Sequence, residues 1–193
     1  MEAKLFAIGA GFFFVAALLL ALFFGSAQYE PPEPYHVHAD FAIFINGERL
    51  DFAQDKYMST ESNHLSEDVH FHDGNGKVIH FHAQDATLGE FLESLGFELG
   101  QECIKLDSGE EFCNSGERTL KMFVNKAASN EFGYFRPNDL DRILISFGSE
   151  NADQLAEQMN LVSDEACIQS EKCPQRGAPS DESNCTASGG CSI

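Results

Sequence analysis

Apolar and polar residues alternate with a period of two through the first half of the chain. Over 37–45 the odd positions Val37, Ala39, Phe41, Ile43 and Ile45 are apolar, while His36, His38 and Asp40 take the other face. Over 69–73, Val69 and Phe71 alternate with His70 and His72; over 79–83, Ile79, Phe81 and Ala83 alternate with His80 and His82. Successive side chains on a strand point to opposite faces, so each segment reads as a strand with one core face and one histidine face. The run Asp73-Gly74-Asn75-Gly76-Lys77 reads as the turn of a hairpin joining the second and third segments. Burying Phe71 and Phe81 on one face requires an odd number of loop residues. The same register then gathers His70, His72, His80 and His82 on the opposite face. With the first strand paired beside them, six imidazoles share one patch.

Further along, Asn46-Gly47 marks a turn into a short strand over Glu48–Phe52. Gln54–Leu65 is polar and reads as a loop with one helical turn, leaving His64 as an exposed loop histidine. Thr87 and Glu90 have capping-box spacing, and Leu88, Phe91, Leu92 and Leu95 form one apolar stripe ending at Gly96. Glu102–Leu106 and Glu111–Cys113 flank an Asp107-Ser108-Gly109 turn. Thr119–Asn125 and Asp141–Phe147 read as the last two strands, Asn130–Asp139 as an aromatic-bearing loop, and Asn151–Met159 as a helix. This order predicts an α+β domain, with one helix packed across a mainly antiparallel or mixed sheet. Its second half is similar to a β-grasp (ubiquitin-like) domain.

The apolar run Leu5–Phe24 contains no charged residue and has the length of a bilayer span, about 20 residues. A cleaved secretory signal ending near Gly25-Ser26-Ala27 is the second choice. Lys4 before the run, against Glu30 and Glu33 after it, places the N-terminus in the cytoplasm and the rest outside. The layout expected is therefore a cytoplasmic tip and transmembrane anchor over 1–27 and a proline-rich stalk over 28–35. An extracytoplasmic domain follows over 36–161, with an acidic, cysteine-bearing tail over 162–193. The expected location is the cell membrane, as a single-pass protein. The 18 Phe suffice for a substantial core, and the net charge of −19 with a pI near 4.5 argues against nucleic acid and anionic membrane surfaces as ligands.

Six cysteines, Cys103, Cys113, Cys167, Cys173, Cys185 and Cys191, all lie beyond the apolar run. An even count on the outer side points to disulfides. Cys103 with Cys113 is favoured because a hairpin joins their arms. The last four permit three pairings, of which neighbour pairing closes the shortest loops. A thiolate metal site is the rival reading, but the spacings match no zinc knuckle or ribbon.

All seven histidines lie between His36 and His82. Three His-x-His pairs on strands suit a transition metal, zinc, copper or nickel, with zinc or copper preferred. The candidate ligands are His36, His38, His70, His72, His80 and His82, with Asp40 in phase as a ligand or as the partner that orients a ring. Asp73 is out of phase unless the turn rotates it. The competing readings are a pH-responsive surface and a plain solvated face. Catalysis asks for an acid or base beside the metal, and the histidine strands hold no Glu. No His-Glu-x-x-His, Gly-x-Ser-x-Gly, phosphate loop or dinucleotide fingerprint occurs. A metal-binding domain is therefore favoured over an enzyme.

The segments HVHADFAIFING, HFHDGNGKVIHFHA, TLGEFLESLG, DLDRILISFG and DEACIQSEKCPQRG carry a further likeness. Through them the chain resembles a group of single-span, membrane-anchored proteins of archaea and candidate-phyla bacteria, some of which bear a protein-disulfide isomerase label. The resemblance implies a membrane-anchored globular domain. It does not imply isomerase activity here, because the chain has no Cys-x-x-Cys. A thiol–disulfide redox protein using the tail cysteines and a metal-free envelope interaction domain stand as alternatives. No protein partner is indicated.

Overall fold

The alternating segments form strands as their period requires. The computed structural model describes residues 35–60 and 62–179, and the backbone alone at 185–186 and 190–191. Strand β1 (Val37–Ile45) turns at Asn46 and Gly47, both with positive φ, into β2 (Glu48–Arg49). Strands β3 (Val69–His70) and β4 (Val78–Phe81) form the expected hairpin, with Val69 opposite Phe81 and His70 opposite His80. Helix α1 (Leu88–Ser94) begins with the capping box: Thr87 Oγ1 accepts the Glu90 N–H, and Glu90 accepts the Thr87 N–H at 2.7 Å. Strands β5 (Glu98–Leu99), β6 (Cys103–Lys105) and β7 (Glu111–Cys113) make a small separate sheet. They are followed by β8 (Thr119–Val124), β9 (Ala127–Ser129) and β10 (Arg142–Gly148).

The main sheet runs β3-β4-β1-β10-β8-β9, with β2 also on β1, and is mixed because β1 and β10 pair in parallel. Its odd-numbered β1 face carries the main core. Phe41, Phe71, Ile79, Phe81, Ile143 and Ile145 lie there under Leu88, Phe91 and Leu92 of α1. The Phe91 ring stands edge-on to Phe41 at 5.6 Å and to Phe71 at 4.8 Å. The α+β class, with a mixed sheet and one helix on its core face, agrees with the pattern of the sequence.

The transmembrane helix expected as the start of that fold is corrected. Among the described residues no helix is long and apolar enough to cross a membrane. The longest, with 10 residues, spans only about 15 Å at ~1.5 Å per residue, against an apolar layer of about 30 Å. Leu5–Phe24, the candidate cleavage site and the stalk up to Pro34 lie outside the described residues.

The second face of the sheet is also covered. Helix α2 (Ala152–Leu161) starts at Asn151, whose side chain accepts the N–H groups of Asp153 and Gln154, and a second small core forms beneath it from Ala42, Phe44, Leu144 and Val162. The chain continues without a break into helix α3 (Ala166–Gln169), so the segment after Val162 docks on the domain. Strands β11 (Cys185–Thr186) and β12 (Gly190–Cys191) pair with each other, Cys185 opposite Cys191. Strand β9 was missed because its turn is Asn125-Lys126, two non-glycine residues at φ 51° and 71°, where no glycine announces the hairpin.

Cys103 and Cys113 are directly opposed in the β6–β7 pair and are joined by a disulfide. Replacing both with serine is expected to lower stability by roughly 2–3 kcal/mol, the loop-closure value for a ring of this size. Urea unfolding of the oxidised chain and the double variant checks it. An unchanged midpoint would show that strand pairing alone holds the arms.

Candidate metal centre

Strand register places the histidines. Across three neighbouring strands His70, His80 and His38 stand in one row, since His80 is opposite His70 on one side and His38 on the other. His36 and His82 stack at 4.4 Å beside that row. Following nearest rings gives a closed circuit. It runs from His36 to His38 (4.4 Å between centroids), His80 (4.5 Å), His72 (3.8 Å), His70 (5.7 Å), His82 (4.9 Å) and back to His36. All six histidines of the three His-x-His pairs thus form one cluster, and His64 is an exposed loop residue apart from it.

The cluster is not a solvated face. His38, His70, His72 and His80 are 2, 5, 2 and 1 % exposed, and His36 and His82 are half-buried. One ring nitrogen from each of His36, His38 and His80 lies within 4.8 Å of the others, a grouping that could hold a metal ion. Around a tetrahedral ion such nitrogens stand about 3.4 Å apart, for metal–nitrogen bonds of ~2.0–2.1 Å. Small side-chain rotations close that gap.

For the neutral form of each ring, partner chemistry assigns the tautomer of four of them. His70 Nδ1 lies 2.8 Å from the Ser66 carbonyl, which can only accept, so Nδ1 carries the proton. His72 Nδ1 donates to the Asp73 carboxylate at 2.7 Å, which leaves a lone pair on His72 Nε2. That lone pair faces His80 Nδ1 at 3.0 Å, so His80 Nδ1 is the donor. Ser170 donates its hydroxyl proton to Asp139 at 2.5 Å, so its oxygen accepts from His38 Nδ1 at 2.7 Å. Every one of these rings is therefore protonated at Nδ1. In His38 and His80 the lone pair belongs to Nε2, on the side away from the orienting partner.

Asp139 also accepts the His38 backbone N–H at 2.9 Å and pairs with Lys172. Burial pushes its carboxyl up, but the hydrogen bonds from Lys172, Ser170 and His38 outweigh burial, and it is held below the ordinary carboxylate value.

Asp40 is buried but does not join the three grouped imidazoles. Its carboxylate accepts from Ser163 Oγ at 2.6 Å and from the N–H groups of Glu165 and Ala166 at 2.8 and 3.2 Å, seating the start of α3. Burial raises its pKa, and these hydrogen bonds together with Arg142 offset part of the rise. Being in phase on the strand brought it to the correct face, two residues too far from the cluster. Asp73, out of phase by alternation, is brought back by its positive φ of 56° and orients His72. His72 thus acts on His80 rather than standing in the three-nitrogen group. Ser66, Asp139 and Ser170 were not visible beforehand, because only the folded chain brings them to the rings.

The cysteines divide as neighbours. Cys103–Cys113 and Cys167–Cys173 are disulfides, and no free cysteine occurs among the described residues. The disulfide takes the sulfurs of Cys103 and Cys113, which together with Glu111 would otherwise form a second metal-like group. The side chains of Cys185 and Cys191 lie outside the described residues. No protein-family model, no curated protein and no solved structure matches the chain.

Proposed function

We propose that this protein is a transition-metal-binding domain that takes one zinc or copper ion through His36, His38 and His80, for capture, delivery or structure outside the cytoplasm. The observation that carries this reading is the set of outer partners. Asp73 through His72, and Asp139 through Ser170, fix the protons of His80 and His38 on Nδ1 and leave Nε2 as the donor. Metal-bound histidines characteristically donate their other N–H in this way. Three imidazoles without thiolate or thioether suit zinc and copper, with copper the stronger binder by intrinsic affinity. A bound ion would keep one position for water or for a ligand from a receiving partner. Asp73 and Asp139 orient rings and Asp40 seats α3, so the arrangement supplies binding rather than a general base for hydrolysis. The two disulfides among the described residues support an oxidising, extracytoplasmic setting.

The test is elemental mass spectrometry on the untagged, oxidised chain, followed by zinc and copper titration at neutral pH. About one ion per chain is expected, lost when His36, His38 and His80 are all replaced by alanine. A metal-free chain that takes up neither ion on titration would sink this reading.

A further inference from the structure

The segment that orients His38 is closed by a disulfide. Cys167 and Cys173 are bonded across α3 and the turn after it, with Cα atoms 5.5 Å apart. Within that ring Ser170 reaches His38 Nδ1 and Asp139, and Lys172 pairs with the same carboxylate. The two halves of the docked segment are held differently. Its beginning is anchored by Asp40 through Ser163, Glu165 and Ala166, and by the Lys77–Glu165 pair at 2.8 Å. Its end, from Ser170 to Cys173, closes back on the four-residue α3 through the disulfide and the Lys172 and Cys173 N–H bonds to the Cys167 carbonyl. A helix of one turn does not hold itself together in water.

We propose that the Cys167–Cys173 ring is a redox latch on the metal centre: closed, it seats Ser170 on His38; opened by a dithiol, it releases Ser170 and weakens metal binding. This rests on the metal-binding reading above and names the regulation of that site. Chemically, one thiolate of the dithiol attacks the half-buried Cys167 sulfur, forming a mixed disulfide and expelling the Cys173 thiolate. The second thiolate then displaces Cys167 and closes the dithiol to its own disulfide. Two electrons pass to the cysteines, and the two protons of the dithiol complete the balance. Arg176 Nη1 lies 3.6 Å from Cys167 Sγ and favours the thiolate formed there. With the ring open, His38 Nδ1 loses its 2.7 Å bond to the Ser170 oxygen, and the hold on the Nδ1-protonated tautomer weakens. Loss of such a partner characteristically costs about 10–100-fold in metal affinity.

The experiment is zinc affinity of the full chain, by competition with a chromophoric chelator, before and after reduction with a water-soluble phosphine that carries no thiol. Reduction is expected to weaken zinc binding about tenfold. Ser170→Ala should sit at the weakened value and respond no further, while Ser170→Thr, which keeps the hydroxyl, should behave as wild type. A chain with Cys103, Cys113, Cys185 and Cys191 all replaced by serine should still respond, which assigns the effect to the Cys167–Cys173 bond. The His38 ring ¹⁵N resonances should report loss of the single Nδ1–H form on reduction. Equal affinity in the oxidised, reduced and Ser170→Ala chains would overturn the latch alone. A chain that binds no zinc in either state would overturn the metal reading and the latch with it.

Discussion

His80→Ala is expected to weaken zinc or copper binding by roughly a hundredfold or more, the largest loss from any single histidine. The estimate follows from rank: removal of an outer partner costs ~10–100-fold, and His80 is both a grouped donor and the end of the Asp73–His72 chain. His72→Ala removes only the acceptor of the His80 Nδ1 proton, so about a tenfold loss is expected from it. His64→Ala, on an exposed loop, should change nothing. Chelator competition on the three variants gives the order directly, with circular dichroism confirming that each is folded. Equal loss from His72 and His80 would mean that both bind the ion. No loss from His80 would move the ion to another part of the circuit.

Phe71→Ala is expected to cost roughly 3–5 kcal/mol of stability, the usual range for emptying a buried phenylalanine site. Phe71 is fully buried, stands edge-on to Phe91 at 4.8 Å and packs on Phe52 at 5.7 Å. Its backbone carbonyl also accepts the Ser59 N–H at 2.8 Å, tying the histidine hairpin to the preceding loop. β3 is an edge strand of two residues, so the packing of this side chain adds to the pairing with β4 and the Met58–Phe71 bridge in holding His70 and His72 in register. The same variant should therefore weaken metal binding even where it remains folded, whereas Phe71→Leu, which refills most of the site, should cost under about 1.5 kcal/mol. Urea unfolding with and without zinc separates the two effects. A Phe71→Ala chain of wild-type stability would show that the hairpin is held from its histidine face instead.

The local rules were legible because they act within a few residues. Thr87 and Glu90 cap α1 as their spacing requires, Asn46-Gly47 turns the chain, and Cys103 meets Cys113 because a hairpin brings its two arms together. The convergence of four imidazoles followed from alternation and one odd-length loop, and that of all six from the added condition that the first strand pairs beside them, as it does. Their burial did not follow. Alternation predicts two faces but says nothing about what covers the second, and here α2, α3 and the disulfide ring come from far along the chain, as the separation of 132 between His38 and Ser170 shows. Asp40 illustrates the same limit. Its face could be read from its position in β1, but its partners, Ser163, Glu165 and Ala166, belong to a segment whose docking is a tertiary event. Asp73 meets the one condition its sequence position allowed, since a turn residue at positive φ leaves the two-residue period and is rotated toward His72.

The parallel pairing of β1 with β10 sets an order of assembly. The β3–β4 hairpin closes a short loop, and β4 reaches β1 over a modest separation, so all six rings can gather early. Joining β1 to β10 spans a far longer stretch, 101 residues between His38 and Asp139, and the entropy of closing that loop must be met before the seam returns contacts. The Ser170 contact comes from farther still. By this loop-closure argument ring clustering precedes the docking of Ser170 on His38, and if the cluster takes a metal ion as proposed, that early stage would hold it only loosely. On the proposed metal-binding reading, tight capture would then follow oxidation of Cys167 and Cys173.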